Sequence, residues 1–359
     1  MSDKVVANTG VIEGFFGRPW TWEERKEYAT FLKEVGYHFY IYAPKGDGYL
    51  RRQWQASWPS ETQSELRQLV DAYHKQELSF GFGLSPYELY LNYDSGAREQ
   101  LRKKVEELNT FAPDILCILF DDMKGDVPGL AKLQADIVHE IRELSDSKHL
   151  IMCPSYYTFD PILEKVFGKM PEDYFASLGE HIDKDIDIFW TGPKVCSTDY
   201  PVSHLKEVSE LLQRKPFLWD NYPVNDGARM SRFLHLSGFE GRSHSLAEWT
   251  SGHAVNPMNQ PWLSRIPLRT LMDSYRQKDI YQAHPSFEQA CKTCCGEELG
   301  SLIVEDLIYF HGQGLDKMGD TIRETLKERY QPFSEVPFAQ EILGWLREEY
   351  KFDPACLTD

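Results

Sequence analysis

Two adjacent carboxylates, Asp121 and Asp122, stand where an apolar run stops, in the stretch ILCILFDDMKGD over 115–126. A continuous apolar run of this length reads as a buried strand. Successive side chains on a strand point to opposite faces. The pair can therefore share one cavity only if the chain bends at the strand's end. Two carboxylates held close together cannot both ionise cheaply, so one stays charged while the other has its pKa raised. That division suits acid–base chemistry. A solvated turn or a helix cap is the plain alternative. A magnesium site is another, but the chain has no Gly-rich phosphate loop and no obvious third acidic ligand, Asp126 simply following a Gly turn.

With a carboxylate pair at a strand's end, the first chemistry to consider is glycoside hydrolysis. A conventional retaining glycosidase sets its acid and nucleophile about 5–5.5 Å apart on opposite sides of the scissile bond. Sequence neighbours do not easily straddle a sugar in that way. They can flank one side of it, which suits substrate assistance. In that mechanism a 2-acetamido carbonyl oxygen attacks the anomeric carbon with the high effective molarity of an intramolecular nucleophile. One carboxylate steers the acetamide N–H, and the other gives a proton to the leaving oxygen and later takes one from water.

These residues need elements to position them. Eight short apolar segments read as strands: 10–16, 38–43, 78–84, 115–120, 149–153, 186–190, 216–219 and 253–255. Helical patterns lie between several of them, over 60–76, 96–109, 128–144 and 202–214. Thr21-Trp22-Glu23-Glu24 has the form of a capping box, and a helix running to Gly36 is expected after it. Ser60-Glu61-Thr62-Gln63 repeats that form at the next helix. Strands alternating with helices predict an α/β fold, a (β/α)8 TIM barrel, whose active sites lie at the carboxyl ends of the strands. A doubly wound sheet also alternates, but no Gly-x-Gly-x-x-Gly turn follows the first strand. Residues 1–280 are expected to form the barrel and 281–359 a small helical appendage. The Cys291, Cys294 and Cys295 cluster falls in the appendage without the second ligand pair that zinc needs.

The 359 residues leave room for a large core, and the net charge of −17 would repel a phosphate backbone, so no nucleic-acid partner is expected. No apolar run approaches the roughly 20 residues of a membrane span, so no membrane partner is expected either. MSDKVVANTG lacks the apolar centre of a signal peptide, and seven irregularly spaced cysteines suit a reducing compartment. A cytoplasmic setting is expected. Nine Trp, nineteen Tyr and twenty Phe suit either a large core or the stacking of sugar faces.

The strand ends carry GVIEGFFGRPW (10–20), YIYAPKGD (40–47), ILFDDM (118–123), CPSYY (153–157), WTGPKVCS (190–197), LWDNYPVND (218–226) and AVNPMNQ (254–260). Together these motifs resemble glycoside hydrolase family 84, the β-N-acetylglucosaminidases that include protein O-GlcNAcases. They keep the family's order across about 250 residues. The resemblance implies a retaining exo-acting enzyme on β-GlcNAc glycoconjugates, with no cofactor and no metal. Asp121 would orient the acetamide and Asp122 would be the general acid/base. Tyr157 and Trp219, with Cys153 nearby, would surround the acetamido group. Lys45, Asn221, Asp226, Asn256 and the backbone of Gly14 would hold the sugar hydroxyls.

Taken singly, each has a plainer reading. Lys45 could be a rim charge, Tyr157 and Trp219 core, Asn221 and Asn256 turn-formers, Asp226 a helix cap and Cys153 a space-filler. Three departures from the family pattern stand out: Gly46 replaces the first acid after Ala-Pro-Lys, Tyr87 replaces a usual Gly, and Phe16 replaces a frequent Tyr. Alternatives of different kind are an endo-acting, hyaluronidase-like enzyme of the same family and a sugar-binding protein without catalysis. The aglycone is left open, and a homodimer through the C-terminal helices is a further expectation.

Overall fold

A computed structural model describes residues 8–358. Eight parallel strands close into a barrel in sequence order: β1 (Thr9–Glu13), β2 (Phe39–Tyr42), β3 (Ser79–Leu84), β4 (Ile115–Leu119), β5 (His149–Cys153), β6 (Asp187–Trp190), β7 (Phe217–Asp220) and β8 (Gly252–Val255). β8 returns to β1, pairing Thr9 with His253, which removes the sheet edges. The barrel, rather than the doubly wound sheet, is thus the architecture. β4 is buried at every position, as its unbroken apolar run required.

Local signals account for several boundaries. At Thr21 both halves of the capping box form: Glu24 N–H donates to the Thr21 hydroxyl at 3.2 Å, and Thr21 N–H donates to the Glu24 carboxylate at 2.6 Å. The next helix, Ser60–Lys75, departs from expectation. Pro59 takes the cap position, no side chain caps it, and Gln63 donates instead to the Trp58 carbonyl at 2.8 Å. β1 stops three residues before the apolar run does. Beyond Glu13 the chain turns over the barrel mouth, where Asn256 and Asp226 take the N–H groups of Gly14 and Phe16.

A 17-residue helix, Pro261–Gln277, follows β8 and has no counterpart among the expected helices. Pro261 at its first turn is a normal starter, but Pro267 lies inside, where the ring removes a donor and disguises the helical pattern. Within the region expected as a helical appendage, the α-helix Glu297–Leu307 widens into a π-helix at Ile308–Gln313.

A second apolar core joins Leu234, Met258, Leu263 and Ile266 to Phe287, Ile303, Phe310, Tyr330, Ile342 and Trp345, so it draws on residues either side of position 280. Cys291 is buried within it, with Cys294 and Cys295 at its edge. A polar tie reinforces the apolar one. Gln260 offers no side-chain cap to the helix Pro261–Gln277; instead Glu341, from the helix Pro337–Leu346, accepts from Trp262 N–H at 3.0 Å and Leu263 N–H at 2.8 Å. A carboxylate at a helix N-terminus satisfies donors that would otherwise be orphaned.

Glu341→Ala would strand two backbone donors and should cost about 1–3 kcal/mol of unfolding free energy. Urea titration should show Glu341→Gln losing less, because the amide oxygen still accepts. An alanine variant as stable as the parent would remove this capping role.

Candidate active site

At the carboxyl ends of the strands lies a cavity whose walls include Gly14, Lys45, Asp121, Asp122, Cys153, Tyr157, Trp219, Asn221, Asp226 and Asn256. All ten residues singled out in the sequence meet there.

The two carboxylates reach one cavity because Asp122 has a φ of +56°. For a residue with a side chain this left-handed conformation is uncommon and costs on the order of 1–3 kcal/mol. It breaks the strand alternation that would have sent the two side chains to opposite faces. Phe120 is still held as part of the barrel: its N–H donates to Cys153 O at 2.9 Å, and its carbonyl accepts from the Ser155 hydroxyl at 2.9 Å. The chain turns immediately after it.

The two aspartates have different surroundings. Lys45 Nζ makes an ion pair with Asp121 Oδ2. Asp121 Oδ1 is buried and meets no donor among the described residues. Asp122 accepts from the Tyr157 hydroxyl at 3.4 Å. Burial raises the Asp122 carboxyl above its ordinary pKa; Asp121 adds to the rise, while Lys45, Arg51 and the Tyr157 hydroxyl oppose it. One acceptor thus sits unsatisfied beside a carboxyl that is biased to hold its proton.

Trp219 is buried and stands against Gly14 so closely that a Cβ there would lie 2.4 Å from the ring. Its indole N–H donates to Asn221 Oδ1 at 2.9 Å. The same oxygen accepts from Asn256 Nδ2 at 3.1 Å, and Asn256 Oδ1 accepts from Gly14 N–H at 3.2 Å. Asn221 Nδ2 donates to Val195 O at 3.0 Å. Both asparagines are therefore braced by one another and by the wall behind them. The Gly14 N–H is occupied by this network, and the absence of a side chain there makes room for Trp219.

Asp226 does not cap a helix. Its Oδ2 accepts from Phe16 N–H at 2.8 Å, and burial pushes its carboxyl up to about 6, with the Phe16 N–H pulling the other way. Cys153 is buried in the wall with its thiol donating weakly to Pro154 O at 3.8 Å, and burial raises its pKa. The departures from the family pattern also find places. A side chain at Gly46 would meet nothing within 4 Å. Asp47, the acid that is retained, braces the loop, accepting from Tyr49 N–H, Tyr42 hydroxyl and Trp58 Nε1 at 2.9 Å each. Tyr87 lies between Arg51 and Arg52, whose guanidinium carbons are 5.2 Å and 4.7 Å from its ring centre.

Sequence reasoning missed several wall residues. Thr191, Val195 and Cys196 come from the WTGPKVCS motif, which was noted without roles. Cys356 and Thr358 also line the cavity, the Thr358 hydroxyl meeting Tyr157. No pattern in the last residues signals that contact. Among the described residues, no cluster of three or more His, Cys, Asp or Glu side chains is arranged to hold a metal ion. The cation that Asp121 does meet is the Lys45 ammonium.

With this geometry in view, the comparisons decide the family. The family model described as beta-N-acetylglucosaminidase matches residues 9–306. The chain belongs to that family. Protein O-GlcNAcase of Rattus norvegicus is 30% identical over 277 residues, covering 74% of this chain, and the Mus musculus protein matches equally. This chain spans only 30% of the length of those relatives. Among solved structures, a mutant of Thermobaculum terrenum O-GlcNAc hydrolase superposes with a TM-score of 0.75 at 30% identity, covering 95% of this chain and 74% of its own. The resemblance to glycoside hydrolase family 84 and the (β/α)8 barrel read from the alternating strands and helices both hold.

The titration of Asp226 can be checked without any substrate. The Phe16 amide resonance should shift with a midpoint of about 6 as its acceptor gains a proton on acidification. Asp226→Asn should abolish that transition. A midpoint in the ordinary carboxylate range would mean that burial does not govern this group.

Proposed function

We propose that the protein is a retaining exo-β-N-acetylglucosaminidase that removes terminal β-linked GlcNAc by substrate-assisted catalysis through an oxazoline intermediate. The observation that carries the reading is the asymmetry of the pair. Asp121 offers a buried oxygen without a donor, and Asp122 beside it has a carboxyl raised by burial. A 2-acetamido group supplies the missing donor through its N–H and the nucleophile through its carbonyl oxygen.

The steps follow from that arrangement. Asp121 Oδ1 accepts from the acetamide N–H and aims the carbonyl oxygen at the anomeric carbon. As that oxygen forms its bond and the glycosidic C–O bond breaks, Asp122 gives its proton to the departing oxygen. The positive charge on the oxazoline ring then lies beside the Asp121 carboxylate, in a site that buries both side chains' neighbours and so strengthens the attraction. Asp122, now ionised, takes a proton from water as water opens the ring from the face the leaving group vacated. Two inversions give net retention, and the acetamide is restored.

Tyr157, Trp219 and Cys153 form an apolar slot of the right character for the acetamide methyl, and Lys45, Asn221, Asp226 and Asn256 present polar atoms suited to sugar hydroxyls. Cys356 and Thr358 add to the cavity wall, which favours a terminal sugar over the open groove of an endo-acting enzyme. The sources of the GlcNAc remain glycoproteins or other glycoconjugates. The reading retains a reducing, cytoplasmic setting, supported by the buried free thiols of Cys117, Cys153 and Cys291. Among the described residues no helix is long and apolar enough to cross a membrane. The expected homodimer through the C-terminal helices is part of the same proposal, with Ile308 exposed on that face.

Leaving groups distinguish the two aspartates. Asp122→Ala should cost about 10²–10⁴-fold on a poorly activated alkyl β-GlcNAc glycoside and far less on a dinitrophenyl glycoside, which needs little protonation. Asp121→Asn should slow both substrates by similar factors. Equal rates for the parent and Asp122→Ala on the alkyl glycoside would remove the acid role. A strong leaving-group dependence in Asp121→Asn would exchange the two assignments.

A further inference from the structure

Arg51 is absent from the residues that touch the cavity, yet it is tied to the general acid from behind. It follows the short 3-10 turn Gly48–Leu50, six residues past Lys45, and is only 6% exposed. Its Nη2 donates to the Asp122 backbone carbonyl at 3.1 Å. The guanidinium lies between two rings, 5.9 Å from the centre of Phe16 and 5.2 Å from that of Tyr87. Its Nη1 is buried and meets no hydrogen-bond partner among the described residues. The loop itself is fastened to the end of β3, where Ser85 N–H donates to Leu50 O at 2.8 Å.

The contact falls where the backbone most needs one. Asp122 is held at a φ of +56°, and relaxation of that torsion would swing its carboxyl away from Asp121. Carbonyls on either side of the turn have their own donors. Ser155 hydroxyl holds Phe120 O at 2.9 Å, and Tyr90 hydroxyl holds Lys124 O at 2.6 Å. Arg51 holds one of the three between them, that of Asp122. A planar guanidinium clamped between rings can fix a carbonyl's direction in a way that a mobile ammonium does not.

We propose that Arg51 is a positioning residue for the general acid: its grip on the Asp122 carbonyl keeps the left-handed turn that aims the acid at the leaving oxygen. The guanidinium also lies near enough to act on the acid's proton. The charged and titratable groups around Asp122 are Lys45, Asp121, Arg51, Cys153, Tyr157 and Asp226. Of these Lys45, Arg51 and the Tyr157 hydroxyl favour the ionised carboxyl, and removal of Arg51 leaves the acid holding its proton to higher pH. This inference rests on the catalytic reading given above, so its test carries a control for that reading.

The experiment compares Arg51→Met, Arg51→Lys and Asp122→Ala with the parent on an alkyl β-GlcNAc glycoside and on the dinitrophenyl glycoside. The readouts are kcat/KM across pH and thermal unfolding. Arg51→Met should lose about 10²-fold on the alkyl substrate and only a few-fold on the activated one. The alkaline limb of its profile should move up by about one unit. Arg51→Lys should return the limb to the parent position, because the charge is back, while recovering only part of the alkyl-glycoside rate. A purely structural residue would instead lower the unfolding temperature and both rates by one common factor, leaving the limb in place. That result, in either folded variant, overturns the inference. If the parent fails to hydrolyse either substrate, or Asp122→Ala shows no leaving-group dependence, the catalytic reading fails instead. Should Arg51→Met not fold, Arg51→Lys decides: parent-like kinetics on the alkyl substrate would contradict the positioning role.

Discussion

A single backbone torsion underlies the site. Adjacent residues on a strand cannot face one cavity, and the left-handed conformation of Asp122 is what cancels that rule for this pair. The cost is local, and the restraints are local too. β5 fixes the chain up to Phe120, and side-chain donors fix the carbonyls that follow. Once both carboxylates share a cavity, electrostatics separates them: Lys45 pairs with Asp121, while burial and the neighbouring charge raise the Asp122 carboxyl.

Much of the remaining polar framework serves rigidity one layer behind the cavity. Asp220, beside Asn221, is fully buried and receives Arg242 through two bonds, at 2.9 Å and 2.6 Å, and His253 at 3.0 Å. Burial works against its charge, but Arg242 and His253 more than offset that and hold its pKa below the ordinary carboxylate range. Glu13, likewise buried at the end of β1, receives Arg25 through bonds of 2.8 Å and 2.6 Å. These buried pairs cross between elements, so a shift of the end of β1 or β7 would leave a charge unpaired, which is costly in a low-dielectric interior. The loops bearing Asn221 and Asn256 thus rise from braced strand ends.

The barrel was legible because each strand is an apolar run that ends in polar or aromatic residues, and every strand lies within a few positions of its expected place. The pocket was legible for the same reason, since strand ends are where this fold gathers its functional groups. Other features left no local trace. Pro267 concealed the helix that follows β8. Ser60 looked like a cap but lies inside its helix, because Pro59 already supplies the extended residue before it. Cys356 and Thr358 come to the cavity from the far end of the chain, Thr358 meeting Tyr157 about two hundred residues away, a long-range contact that neither periodicity nor a motif encodes. Roles were harder to read than places. Gly14 stood out for its backbone, and the structure adds that its N–H is engaged by Asn256 and its missing side chain makes space for Trp219.

The central claim is that Asp121 receives the acetamide N–H while Asp122 serves the leaving oxygen. A crystal structure with a GlcNAc-derived thiazoline, which imitates the cyclised sugar, tests it most directly. The account predicts the ring nitrogen within hydrogen-bond distance of Asp121 Oδ1, with Asp122 beside the position of the glycosidic oxygen. A ring nitrogen bound to Asp122, or an inhibitor seated away from both carboxylates, would contradict it.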